Sequence, residues 1–204
     1  MMRRRLAVLA AFAAFAPVFA GGQRIDLVPT IGLRNGATLE ADQSATAPAE
    51  APASVAFGLG ADIYLRPDAW FEVFADFQQL TFDADPAVFG VSQFDMRADY
   101  LQFGGGYEPS HGTITPFVSA ALGLTRYGAD TGTVEHTLGF SGSIGGGFKA
   151  AMSKRLAFKL EVLGYATIND AAISVSCGPG CDVRFAAGGW YQIEARAGLA
   201  IRVR

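Results

Sequence analysis

The chain is poor in the residues that most catalytic and metal sites are built from. It has two histidines and two cysteines among 204 residues. Neither His111 nor His136 has a serine or aspartate at a diagnostic spacing. No nucleophile–base set can be assembled, and the chain is read as non-enzymatic, with no cofactor. Cys177 and Cys181 enclose Gly178-Pro179-Gly180. A metal would need further ligands, and only the two histidines remain to supply them. In an exported chain so close a pair reads as a disulfide clamping a loop.

Basic residues are also scarce, at 16 against 19 acidic. A nucleic-acid partner would need a basic stripe, and none is present. After the N-terminal segment no stretch contains 18 consecutive apolar residues, so no transmembrane helix is expected. A phosphate-cradling glycine loop needs a strand-to-helix junction, and no such junction is visible.

What is present begins with a secretory signal. Arg3, Arg4 and Arg5 form a basic start, Leu6 to Phe15 is apolar, and Val18-Phe19-Ala20 ends in small residues at the offsets for cleavage. The apolar run is short for a membrane span, and Pro17 and Gly21-Gly22 end it. Residues 1–20 are therefore expected to be removed. Of 204 residues, 184 remain as one domain, 21–204, with 13 basic and 19 acidic residues and a net charge of −6.

The mature sequence alternates with period two. In the last segment Tyr191, Ile193, Ala195, Ala197, Leu199, Ile201 and Val203 share one face. Gln192, Glu194, Arg196 and Arg202 share the other. Strand side chains point to opposite sides in turn, so this is a strand with one apolar and one charged face. Seven further strands are predicted: about 23–34, 55–66, 69–82, 98–108, 113–127, 137–150 and 155–168. Pro29 suggests a bulge in the first, because proline has no N–H for the ladder. The run 35–54, rich in Ala, Pro, Glu and Ser, shows no usable periodicity and reads as a mobile loop. Residues 83–97 read as a longer connection, and 169–188 as a long loop holding the cysteines.

The connections alternate long and short from the first to the last. With an export signal and half the residues hydrophobic, this predicts an all-β, eight-stranded, antiparallel up-and-down transmembrane β-barrel. Outward aromatics near the strand ends fit two interfacial girdles. Phe71, Tyr107, Phe148 and Phe158 lie toward the short turns, and Phe140 and Tyr191 toward the long loops. An even strand number puts both termini on the short-turn side, which would be periplasmic. A soluble lipocalin-like barrel would instead turn its polar residues out.

The segments Tyr100-Leu101-Gln102-Phe103-Gly104-Gly105-Gly106-Tyr107 and Pro116-Phe117-Val118-Ser119-Ala120-Ala121-Leu122-Gly123-Leu124 carry a resemblance. The glycine-rich Ser143 to Phe148 and the final Ala197-Gly198-Leu199-Ala200-Ile201 belong with them. Together they resemble the small outer-membrane β-barrel proteins of Gram-negative bacteria, the class of the OmpA transmembrane domain and the opacity-type surface proteins. The resemblance implies residence in the outer membrane, lipid contact, and insertion by the barrel-assembly machinery. Such barrels commonly finish on an aromatic residue, whereas this chain finishes Val203-Arg204.

The charges are assigned to the lumen. Asp26, Asp62, Glu72, Asp76, Glu108, Glu161 and Glu194 face inward with Arg24, Arg34, Lys149, Lys159, Arg196 and Arg202. An eight-stranded bore is just wide enough for side chains to fill, so cross-lumen ion pairs are expected. A hairpin centred on Pro67 places Asp62 opposite Glu72. A cation from Arg24, Lys149 or Arg202 should then separate the like charges. Lys159, Glu161, Glu194 and Arg196 are expected to form one network across the last two strands. Inner glycines such as Gly58, Gly60, Gly104, Gly106, Gly145 and Gly147 make room for the long side chains. Leu122 should face lipid at mid-strand, while Thr125 should point into the lumen near its rim, with room for a longer side chain.

Function is expected to be structural or surface-presenting, by a monomer whose specific ligand the residues do not identify. The alternative is a narrow pore or a conduit for small, hydrophobic molecules.

Overall fold

A computed structural model describes residues 23–39, 49–86, 92–109, 112–128, 137–168, 173–178, 181–185 and 189–204. The expected signal segment, His111 and His136 lie outside the described residues. Among the described residues there are twelve strands. They are β1 (Ile25–Arg34), β2 (Ala37–Leu39), β3 (Ala49–Ala51), β4 (Ser54–Arg66), β5 (Ala69–Asp83) and β6 (Gln93–Tyr107). They continue as β7 (Ile114–Gly128), β8 (Thr137–Ala151), β9 (Leu156–Ile168), β10 (Ile173–Gly178), β11 (Cys181–Phe185) and β12 (Gly189–Arg202).

Eight of them close a barrel. The order is β5-β4-β1-β12-β9-β8-β7-β6, and β5 also pairs with β6. All barrel pairings are antiparallel, and each joins strands that follow one another around the wall in chain order, except the β1–β12 seam. At that seam the termini meet: Ile25 N–H donates to the Arg204 carbonyl at 3.1 Å, and Val203 N–H to the Ile25 carbonyl at 2.9 Å. Closure removes both sheet edges, which is how an antiparallel sheet avoids unpaired backbone in hydrocarbon.

The barrel is inverted relative to a water-soluble one. Its outward face carries Leu59, Leu122, Ile144 and Ile193 well exposed, Ile144 at 71% and Leu122 at 61%. Its lumen carries the buried acids, bases and amides. Apolar surface outside and charge inside is the arrangement that hydrocarbon requires and water penalises.

The alternation reverses its chemistry at the long-loop end. There Leu80, Phe82, Met96 and Ala98 turn inward and are buried. Outside, Thr81 donates to Asp95 at 2.7 Å, Gln93 to Asp83 at 2.7 Å, and Arg97 pairs with Asp99 at 2.5 Å. These strand ends stand beyond the apolar belt and so follow the rule for water.

That reversal corrects the boundary expected near residue 98. The pairing of β5 with β6 runs on to Asp83↔Gln93, which trims the expected connection of 83–97 to residues 84–92, still longer than the short turns. The segment 35–54 is also more ordered than expected. Its β2 and β3 pair, and Glu50 aligns with Asp83 of β5. Alternating Ala49 and Ala51 pack under Leu80 and Phe82. Alanine gives too little hydropathy contrast to mark such a strand. Residues 40–48 of that run lie outside the described residues.

Pro29 produces no bulge. The β1–β4 register passes through Pro29↔Leu59 without a shift. On the β12 side the rungs at Val28 and Pro29 are missing, but the register resumes unchanged at Thr30↔Gly198. Proline is accommodated by omitting rungs on one side. The long loop after β9 contains the β10–β11 hairpin, which places Cys177 and Cys181 on adjacent strands; their side chains lie outside the described residues.

Candidate functional site

The lumen is the chemically distinctive region, and it is built in layers along the axis. At the short-turn mouth, Asp26 accepts from Arg24 and lies 3.7 Å from Arg202. The Arg24 guanidinium lies over the Tyr64 ring, 3.9 Å from its centre. Both arginines reach inward from strand ends beside the closing seam, where one carboxylate serves two cations.

The next layer is centred on Lys149 of β8. Its ammonium contacts Glu108 at 2.8 Å, the Tyr64 hydroxyl at 2.9 Å and Asp62 at 3.2 Å. It also sits 3.7 Å from the centre of the Trp70 ring, which meets Phe117 edge-on. An aromatic face and three oxygens together replace the water a buried ammonium loses.

Above it, Arg196 and Glu161 are opposite each other in the β9–β12 ladder. The guanidinium grips Glu161 at 2.5 and 2.7 Å. Ser119 donates to the other carboxylate oxygen at 2.6 Å. Lys159 lies 3.5 Å from both Glu161 and Glu72, and Arg196 reaches Glu72 at 3.7 Å. The Phe74 ring lies under the Arg196 guanidinium at 4.1 Å.

A third ionic layer above the mouth holds Arg34 between Asp76 and Glu194, with Glu194 at 2.6 Å. Tyr165 donates to the same Glu194 oxygen at 2.9 Å. The rings of Tyr100 and Tyr165 flank the guanidinium, centred 4.7 and 4.4 Å away. A Cβ at Gly32 would meet the Glu194 carboxylate, so a side chain there would push Glu194 from its place beside Arg34. A Cβ at Gly106 would likewise meet the Trp70 ring in the Lys149 layer.

Beyond this, amides and hydroxyls take over. Tyr100 donates to Gln192 at 2.7 Å and Gln192 to Gln78 at 3.1 Å, while Ser143 donates to Gln102 at 2.7 Å on the short-turn side of Tyr100. The long-loop end is shut by Leu80, Phe82, Met96 and Tyr127, with Tyr127 stacked on Trp190 at 4.9 Å.

The structure thus brings Glu72, Lys159, Glu161 and Arg196 together. It separates Glu194 from them, because that side chain points to the next layer and meets Arg34. Asp62 and Glu72 are opposite one another in β4–β5, and different cations hold them: Lys149 takes Asp62, and Lys159 with Arg196 takes Glu72. Arg24 and Arg202 stay with Asp26 at the mouth. Thr125 has no room beside it, being fully buried against Thr167 at 3.5 Å.

The grouping of Arg34 with Asp76 and Tyr165 is not expected from the sequence. Ladder partners follow from turn positions, but contacts across the lumen depend on strand tilt and stagger, which no local pattern encodes. Chemically, every lumen carboxylate has a cation within 3.7 Å. Among the described residues no three His, Cys, Asp or Glu side chains gather as a metal site.

No protein-family model matches the sequence, and no curated protein does. Solved structures do match. Neisserial surface protein A aligns over 89% of this chain and 99% of its own, at 14% identity and a TM-score of 0.55. The outer membrane protein OprG from Pseudomonas aeruginosa aligns over 88% and 96%, at 13% identity and a TM-score of 0.55. Outer membrane protein AlkL, determined in lipid bilayers, aligns over 93% and 95%, at 10% identity and a TM-score of 0.57. The inverted, closed eight-stranded barrel of this chain is the fold of the small outer-membrane β-barrel proteins.

Proposed function

We propose that this chain is a non-enzymatic protein of the Gram-negative outer membrane, a barrel whose lumen is a structural core and whose long connections are presented at the cell surface. The observation that carries this reading is the bore itself. Three successive ionic layers occupy it, with paired side chains only 0–7% exposed above the mouth. Lumen side chains held in this way stiffen the wall and leave the loops as the variable, outward region. A neighbour in fold is named a surface protein, which agrees with that role. In this reading both termini and the short turns are periplasmic, outer-membrane lipid surrounds the apolar belt, and the barrel-assembly machinery inserts a monomer.

An epitope tag between residues 40 and 48 tests the orientation. Antibody should reach it on intact cells. Protection until the outer membrane is opened would invert the topology. Planar-bilayer recording tests the filled bore. The protein should show no steady conductance, and a sizeable, stable channel would replace this reading with a pore.

A further inference from the structure

The short-turn mouth holds a polar recess of about 240 Å³, walled in part by the Arg24–Asp26 and Lys149–Glu108 pairs and in part by the turn between β8 and β9. Its walls carry five cations, Arg24, Lys149, Lys154, Arg155 and Arg202, against two carboxylates, Asp26 and Glu108. That excess stands out in a chain whose net charge is negative. The two acids are already committed. Asp26 is bonded by Arg24, and Glu108 holds Lys149 and the Tyr64 hydroxyl.

Two cations are left over, and a third is held only loosely. Lys154 and Arg155, in the turn between β8 and β9, have no carboxylate within 4.0 Å among the described residues. Arg202 lies 3.7 Å from Asp26, and its Nε has no hydrogen-bond partner among the described residues. A backbone contact joins the strands that carry the two arginines: the Arg202 N–H donates to the Arg155 carbonyl at 2.9 Å. Lys149 closes the inner end of the recess.

We propose that this recess binds a phosphate-class oxyanion at the short-turn mouth. Two guanidinium forks and an ammonium around a small, polar hollow suit a tetrahedral anion, which offers acceptors in several directions. A recess of about 240 Å³ has room for one phosphate or a diphosphate. The anion would add a counter-charge to Arg155, Lys154 and Arg202, and so tie the β8–β9 turn to the closing seam. The site does not depend on which side of the membrane the mouth faces.

Titration with inorganic pyrophosphate, followed by calorimetry in a maltoside detergent free of phosphate, tests it. Wild-type protein should bind saturably with one site. The double variant Lys154→Gln/Arg155→Gln, and separately Arg202→Gln, should each weaken binding about tenfold or more. Arg155→Lys should recover some of the loss. Arg66→Gln, an exposed position at the same mouth already paired with Asp68, should leave binding unchanged. All variants keep the gel shift on heating if they fold, and the exposed turn positions make folding of the double variant safe. Repeating the titration in nanodiscs separates the sources. Competition by phosphatidylglycerol but not phosphatidylcholine would assign the site to a lipid headgroup, and equal binding in both would assign it to a soluble phosphate. Absence of saturable binding, or equal weakening by Arg66→Gln, overturns the proposal.

Discussion

Arg196 faces Glu161 across one rung of the β9–β12 ladder, and its guanidinium grips that carboxylate with two nitrogens, at 2.5 and 2.7 Å. Ladder geometry and charge pairing therefore coincide in the middle of the bore. Both side chains are at most 3% exposed. Pairing there offsets a desolvation cost that either charge alone could not bear.

Truncating one member should expose that cost. Arg196→Ala leaves Glu161 with Lys159 at 3.5 Å and Ser119 only. The expected loss is about 3–5 kcal/mol, typical for stranding a buried charge. It would be read as a lower temperature for loss of the heat-modifiable gel shift. Adding Glu161→Gln should restore some of the loss, since the orphaned charge goes with it. An unchanged unfolding temperature together with a new conductance would make Arg196 a gate.

The belt has a boundary that arginine substitutions can map. Leu122 is lipid-facing at mid-strand, and an arginine there should cost roughly 2–4 kcal/mol and impair assembly. Thr81 also points outward, but beyond the reversal, beside Asp95. Thr81→Arg should be near neutral in folding yield. Equal damage at both positions would mean that the belt extends to the strand ends.

The eight strands and the sense of each face are legible in the sequence because lipid and lumen impose opposite chemistry on alternate residues. Glu72, Phe74, Asp76 and Gln78 point inward as their alternation with Phe71, Val73, Ala75 and Phe77 requires. Legibility fails where that contrast fades or flips. Ala49 and Ala51 are too small to signal a strand. Met96 and Ala98 carry the code for water on a strand whose lower half carries the code for lipid. The partition of charges into layers fails for another reason. Glu194 is one rung pair from Arg196 along the same strand, yet it belongs to Arg34, and strand stagger decides which layer a side chain joins.

The apolar closure at the long-loop end should be a stability element. Phe82 is fully buried and stacks on Phe94, with ring centres 5.0 Å apart. Phe82→Ala should cost about 3–5 kcal/mol, the range for deleting a buried ring. The ionic layers lie below it and stay intact, so no conductance should appear. A stable, opened channel in Phe82→Ala would show instead that this apolar layer alone seals the bore.

Cys177 and Cys181 should be joined to each other in an oxidising compartment. The backbone brings them to neighbouring strands of the β10–β11 hairpin, with Gly178 opposite Cys181. The loop they close spans only Gly178-Pro179-Gly180. A 15-residue loop is worth about 3 kcal/mol in the chain-entropy account, so this shorter one should contribute less. The hairpin forms its own two-stranded sheet, separate from the barrel ladder. Replacing both cysteines by serine should therefore leave the heat-modifiable transition of the barrel in place, while raising protease sensitivity within 169–188. Mass spectrometry of unreduced protein taken from the envelope should show the mass deficit of one disulfide. Two free thiols there would refute the bridge, and loss of barrel folding in the serine variant would show that the hairpin and barrel are energetically coupled.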